Sequence, residues 1–231
     1  MQKVYFLSGT MCNQDLWQFV FPKIENYIPE YIDITSATSF EEINAIINSK
    51  IKEPAILIGF SLGGFNALNF ASQHPEKIKK LISIAASAKG LSEHEIRLRK
   101  STIEFLETHN YKGISNTRVK QFLHSDNHQN KILSNIIKEM DADLGKDVLI
   151  RQLKATSNRI DISDKLKTIS NPVLLIGSKE DALVSYLDIL NLKKELKNSF
   201  TILVKHCGHM IPLEKPNELV EIINNYLKKA Y

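Results

Sequence analysis

The feature that most constrains this chain is a series of short apolar runs spread along its length. Val4–Leu7, Ala55–Ile58, Leu81–Ile84 and Val173–Ile176 stand out, and Tyr31–Ile34 and Phe200–Val204 are two further candidates. Continuous rather than alternating hydrophobicity marks a strand covered on both faces. Most of the runs end at a Gly or Ser, which suits a tight turn. Helical patterns separate them at about 41–50, 62–74, 185–197 and 216–229. The last begins at Pro216, a favoured first helical residue, and repeats Leu219, Val220, Ile223 and Leu227 at helical spacing. Strands alternating with helices predict an α/β fold: a mainly parallel sheet of about six strands with helices on both faces.

The stretch 88–158 breaks that rhythm. It carries no convincing strand and reads as several amphipathic helices. Residues 88–160 hold thirteen Lys and Arg against nine Asp and Glu, an excess equal to the net +4 of the whole 231-residue chain. An all-helical insert between strands is expected to form a cap over the carboxyl edge of the sheet. The core would then be 1–87 together with 159–231. Arg97, Arg99 and Lys100 form a basic run on this cap, either a solvated helix face or a surface for an acidic carrier protein.

Other classes are disfavoured. A charge of +4 without a clustered basic face does not point to nucleic acid. No apolar run approaches the roughly 20 residues that span a bilayer. Val4–Leu7 is too short for the apolar core of a signal peptide. Two Cys, at 12 and 207, do not make a disulfide framework and read as small buried apolar residues. A cytoplasmic protein with reduced thiols and no membrane partner is expected.

The motif richest in chemistry is Gly59-Phe60-Ser61-Leu62-Gly63-Gly64, a G-x-S-x-G nucleophile elbow. An apolar strand precedes it and a helix of small residues follows. Such a turn strains the Ser backbone and raises the hydroxyl above the sheet edge, at a helix N-terminus that favours developing negative charge. A Ser hydroxyl needs a base. Of the seven His, His209 sits in a loop after the last predicted strand. His206 is expected at that strand's end and His74 at the end of the helix after the elbow. His94, His109, His124 and His128 fall in the insert and are expected to face solvent. The base needs an acid to hold its tautomer, and Asp181, after the strand 172–177, is favoured over its neighbour Glu180. The chain order is then Ser61, Asp181, His209.

With these residues in place, the sequence resembles the α/β-hydrolase superfamily over nearly its whole length. The matching parts are the Ser8-Gly9-Thr10 turn, the elbow, the helical insert, the acid loop and Gly208–Pro216. The elbow and the segment through Ala86 look most like small cap-bearing carboxylesterases, such as pimeloyl-carrier-protein methyl ester esterases, and like the related menaquinone-pathway lyases. The resemblance implies an α/β-hydrolase fold and a Ser61–His209–Asp181 triad. It implies oxyanion donors at the backbone N–H of Leu62 and Thr10, with Met11 as the fallback for the second. Met11 and Met210 would border the substrate.

Some parts depart from the pattern. Ser8 stands where the family often has His. The acid loop carries one extra residue, which keeps Glu180 open. The chain starts close to the first core strand, so the family's N-terminal antiparallel strands are expected to be missing or reduced. Trp17, Phe105 and Phe122 are open between pocket and plain core. No metal or organic cofactor is expected, because no ligand-spaced cluster, G-x-G-x-x-G or P-loop is present. The reading is a serine hydrolase of a small carboxylic ester or thioester. A lyase using the same three residues for proton abstraction and a non-catalytic binding protein on this fold stay open.

Overall fold

The computed structural model describes residues 1–229. Six strands form one sheet in the order β2-β1-β3-β4-β5-β6, all parallel. They are β1 (Gln2–Leu7), β2 (Tyr27–Tyr31), β3 (Ala55–Phe60), β4 (Ile78–Ile84), β5 (Val173–Ser178) and β6 (Ser199–Val204). The central strands β3 and β5 are buried along their whole length, as continuous apolar runs require.

The edges follow different rules. The apolar run Tyr31–Ile34 is not the strand itself: β2 lies earlier and shares only Tyr31 with it. Pro29 has no N–H, which an edge strand tolerates. The Ile32 amide donates to the Phe6 carbonyl at 2.9 Å, and then Ile32 and Ile34 turn into the core as loop residues. At the other edge, β6 alternates, leaving Phe200 42% and Ile202 37% exposed. Its apolar run is therefore covered on one face only.

Helices cover both faces. On one side α1 (Phe40–Lys50), α2 (Leu62–Gln73) and α6 (Tyr186–Glu195) pack over Leu7, Leu57, Leu81 and Leu175. On the other, α8 (Pro216–Lys228) packs with Trp17, Val4, Ile58 and Ile176. The predicted stripe of α8 is buried at Leu219, Val220, Ile223 and Leu227. Ser39 and Ser185 cap α1 and α6 by accepting backbone N–H bonds.

Between β4 and β5 the chain forms α3 (Glu93–Thr108), α4 (Asn116–Phe122) and α5 (Lys131–Ala155), with no strand among the described residues. Ser92 and Glu95 make a reciprocal capping box at the start of α3. Segment α5 is interrupted at Gly145, whose φ of 69° and ψ of −177° are not helical. Its first half sends Leu133, Ile136, Ile137 and Met140 into the core. A short α7 (Ile211–Glu214) precedes α8. No helix among the described residues is long and apolar enough to cross a membrane.

Candidate active site

In this strand order β1 is followed by β2 on one side, while β3 lies on the other. The crevice outside the carboxyl ends of β1 and β3 is thus a topological switch point, where open α/β sheets bind ligands. Ser61 leaves β3 there and Thr10 leaves β1.

Ser61 is held at φ 52° and ψ −115°, a left-handed conformation rare for a residue with a side chain. Its N–H donates to the Ile84 carbonyl at 2.8 Å and its carbonyl accepts from the Phe65 N–H at 3.0 Å. The side chain does not cap α2, so the hydroxyl is left for another partner. That partner is His209, whose Nε2 lies 3.0 Å from Ser61 Oγ. His209 Nδ1 lies 2.8 Å from Asp181 Oδ2. The other Asp181 oxygen accepts the N–H groups of Leu183 and Val184 at 2.8 and 3.0 Å. With the ring proton on Nδ1, donated to the carboxylate, Nε2 is the lone-pair side that accepts the Ser61 proton. Asp181 and His209 are both buried, which strengthens their interaction.

The neighbouring acid is occupied elsewhere. Glu180 is exposed and accepts from Ser178 Oγ at 3.0 Å. Burial acts to raise its pKa, but the Ser178 hydroxyl, backbone N–H groups and the nearby His124 bring it below the usual carboxylate value.

Helix α2 opens with Leu62, whose N–H points out of the first turn with no intrahelical acceptor. Across the crevice, the Met11 N–H donates to Gln152 Oε1 at 2.9 Å. Gln152 is buried and comes from the second half of α5. The Met11 N–H, the fallback donor of the sequence reading, is thus already paired. Sequence reasoning missed Gln152: a glutamine inside a long polar helix gives no signal of the turn it will meet. Replacing it with Ala leaves the half-buried Met11 N–H without its protein partner, at about 1 kcal/mol. Gln152→Ala is expected to lower kcat about tenfold with KM little changed, measured by steady-state ester kinetics.

Glu214 was also missed as a structural partner. One carboxylate oxygen accepts the Gly208 N–H at 2.9 Å, and the other accepts the His124 N–H and the Asn127 side chain, each at 2.8 Å. The Phe122 carbonyl accepts the N–H groups of His209 and Met210 at 2.8 and 3.2 Å. The end of α4 therefore holds the His209 loop in place.

Several expectations need correction. Met210 is core, 2% exposed. Trp17 is fully buried core, donating to Ser8 Oγ at 2.9 Å. Phe105 is 56% exposed and stacks on His109, whereas Phe122 is half-buried with its ring 6.4 Å from His209. His124 does not face solvent: its side chain is 13% exposed, against the His206 ring. His206 lies in the loop beyond β6 rather than in the strand. Arg99 leaves the basic face by turning inward to Thr156 Oγ1, while Arg97 and Lys100 remain exposed. Both cysteines are buried, and burial pushes the Cys12 thiol up to about 12.

The cleft beside Ser61 has a volume of about 160 Å³ and is bordered by Ala86, Ser87, Arg159, Leu183 and Val184. Arg159 lies 4.1 Å over the Phe65 ring and donates to the Ser87 carbonyl at 2.9 Å. Burial, then the neighbouring Arg99, lower its pKa to about 10, still charged at neutral pH. A larger groove of about 460 Å³, bordered by Asn44, Asn69, Gln73 and Lys154, includes none of Ser61, Asp181 and His209.

Residues 21–118 match the family model described as the alpha/beta hydrolase fold. The pimeloyl-[acyl-carrier protein] methyl ester esterase of Wigglesworthia glossinidia brevipalpis is 28% identical over 97% of this chain and 93% of its own. The enzyme of the same name from Neisseria meningitidis serogroup A is 25% identical over 90% of this chain and 71% of its own. A thermophilic esterase structure from Thermogutta terrifontis superposes with a TM-score of 0.87 at 16% identity, covering 99% of this chain and 90% of that one. The chain is thus an α/β-hydrolase in fold, and it resembles the pimeloyl-[acyl-carrier protein] methyl ester esterases in sequence.

Proposed function

We propose that this protein is a carboxylesterase that works through an acyl-enzyme on Ser61. The observation that carries the reading is the unbroken pair of hydrogen bonds from Ser61 Oγ to His209 Nε2 and from His209 Nδ1 to Asp181 Oδ2. The esterases named among its relatives support it.

In this mechanism Ser61 attacks the ester carbonyl as His209 takes its proton. Asp181 holds the ring and stabilises the imidazolium. The backbone N–H groups of Leu62 and Thr10 receive the oxyanion, each worth about 3 kcal/mol of barrier. His209 then protonates the leaving alcohol. Water, deprotonated by the same ring, releases the acid and regenerates Ser61. Helices α3 to α5, roughly residues 88–158, act as a cap that selects the acyl group, and the core is formed by 1–87 and by 159–231, of which 230 and 231 lie outside the described residues. A methyl ester on a carrier-protein-bound acyl chain is the substrate class suggested by the relatives. Arg97 and Lys100 are the exposed cap cations that would face an acidic carrier.

The test is a chain-length series of acyl methyl esters, run beside a serine-directed phosphonate. Turnover of at least one ester and a single label on Ser61 are expected. A label with no ester turnover would favour the lyase reading, and neither label nor turnover would favour a binding protein.

A further inference from the structure

We infer that His124, Asp126 and His206 form a binding site for a first-row divalent transition ion of the Zn²⁺ class, separate from the triad. The three side chains come from two segments far apart in sequence. His124 and Asp126 follow α4, and His206 lies in the loop after β6. One ligand atom from each residue lies within 4.8 Å of the other two. His124 Nδ1 and Asp126 Oδ2 are 3.3 Å apart, close to the spacing of two donors on one tetrahedral ion; the same Nδ1 accepts the Asp126 N–H at 3.3 Å, a long bond that an ion would replace. The His124 and His206 rings meet edge to face at 84°, with centroids 5.9 Å apart.

The donor chemistry selects the ion. Two imidazoles and one carboxylate suit Zn²⁺ and its neighbours, whereas Mg²⁺ and Ca²⁺ want oxygen. The backbones that carry the donors are already fixed. The His124 N–H is held by Glu214. His206 itself sits at φ 51°, a conformation uncommon for a residue with a side chain and concentrated at functional positions. Asp126 and His206 are exposed, so an ion enters from solvent and retains water in its open positions.

Occupancy would tie the end of α4 to the loop three residues before His209. The Phe122 carbonyl already joins the same two segments. The ion is therefore a staple on the junction that positions His209. None of the three donors belongs to the triad, so the site stands or falls apart from the esterase reading.

Titration calorimetry of the full chain with ZnCl₂ tests it. One ion per chain is expected, bound more tightly than about 100 µM, with no binding of MgCl₂ or CaCl₂. At an excess of about 100 Kd the thermal midpoint should rise by about 5 °C or more. His206→Asn keeps a residue tolerant of positive φ, and His124→Asn keeps a cap on the following turn. Asp126→Asn keeps the side-chain shape. Each is expected to weaken Zn²⁺ binding at least about tenfold, with an unchanged circular dichroism spectrum. A wild-type Kd weaker than about 100 µM, or wild-type affinity in all three variants, overturns the site.

Discussion

Replacing Ser61 with Ala is expected to lower kcat/KM for a short acyl ester by a factor of about 10⁴ or more. The change removes one oxygen and leaves the fold intact. The backbone at residue 61 is held by the Ile84 carbonyl and the Phe65 N–H, not by the hydroxyl, which caps nothing. Circular dichroism and the thermal midpoint should therefore match the parent. His209 and Asp181 would keep their bond, and the oxyanion amides would stay in place, so a weak residual rate is expected. No nearby group is suited to take over. The Cys12 thiol, pushed up to about 12 by burial, stays protonated at neutral pH. Ester turnover at the parental rate would place the chemistry on another residue.

The second large effect is expected from Gly63→Ala. Gly63 lies in the first turn of α2, where the helix passes the end of β1. A methyl group there would come within 2.7 Å of the Ser8 carbonyl oxygen, and closer still to that of Leu7. Both are backbone atoms, so neither can swing aside. Either α2 lifts from the sheet or the Ser8-Gly9-Thr10 turn moves. Overpacking of this kind costs about 3 kcal/mol or more, and the thermal midpoint should fall by about 6–12 °C. The displaced turn carries the Thr10 amide, so kcat/KM should also fall about 100-fold in the fraction that remains folded. A thermal scan and ester kinetics on the same sample check both parts. An unchanged midpoint would mean that the helix and the turn are less closely packed than this geometry requires.

Much of the fold was legible because central strands of a parallel sheet must be apolar on both faces. Val4–Leu7, Ala55–Ile58, Leu81–Ile84 and Val173–Ile176 all fall within β1, β3, β4 and β5. Legibility declined at the edges. Tyr31–Ile34 is apolar because its isoleucines are buried as loop, and hydrophobicity alone does not distinguish that from ladder pairing. That Ser61, Asp181 and His209 meet was visible because each follows a strand at the same sheet edge, and strand ends are marked by local signals. The contacts across the crevice were not visible. Gln152 to Met11 and Glu214 to His124 join residues 141 and 90 positions apart. Such pairings depend on how the helical segment settles on the sheet, and periodicity carries no information about that. The same reason explains Arg99, which looked like part of a solvated basic face and instead meets Thr156.

The interruption of α5 at Gly145 has a further consequence. An added Cβ there would meet nothing within 4 Å, so the glycine is present for its backbone angles and not for want of room. The residues before the break are anchored in the interior, while those after it reach Met11 through Gln152. The two pieces can therefore drift separately in evolution. A substitution in the distal piece is therefore felt at the Met11 turn, while the proximal piece stays packed through Leu133, Ile136, Ile137 and Met140.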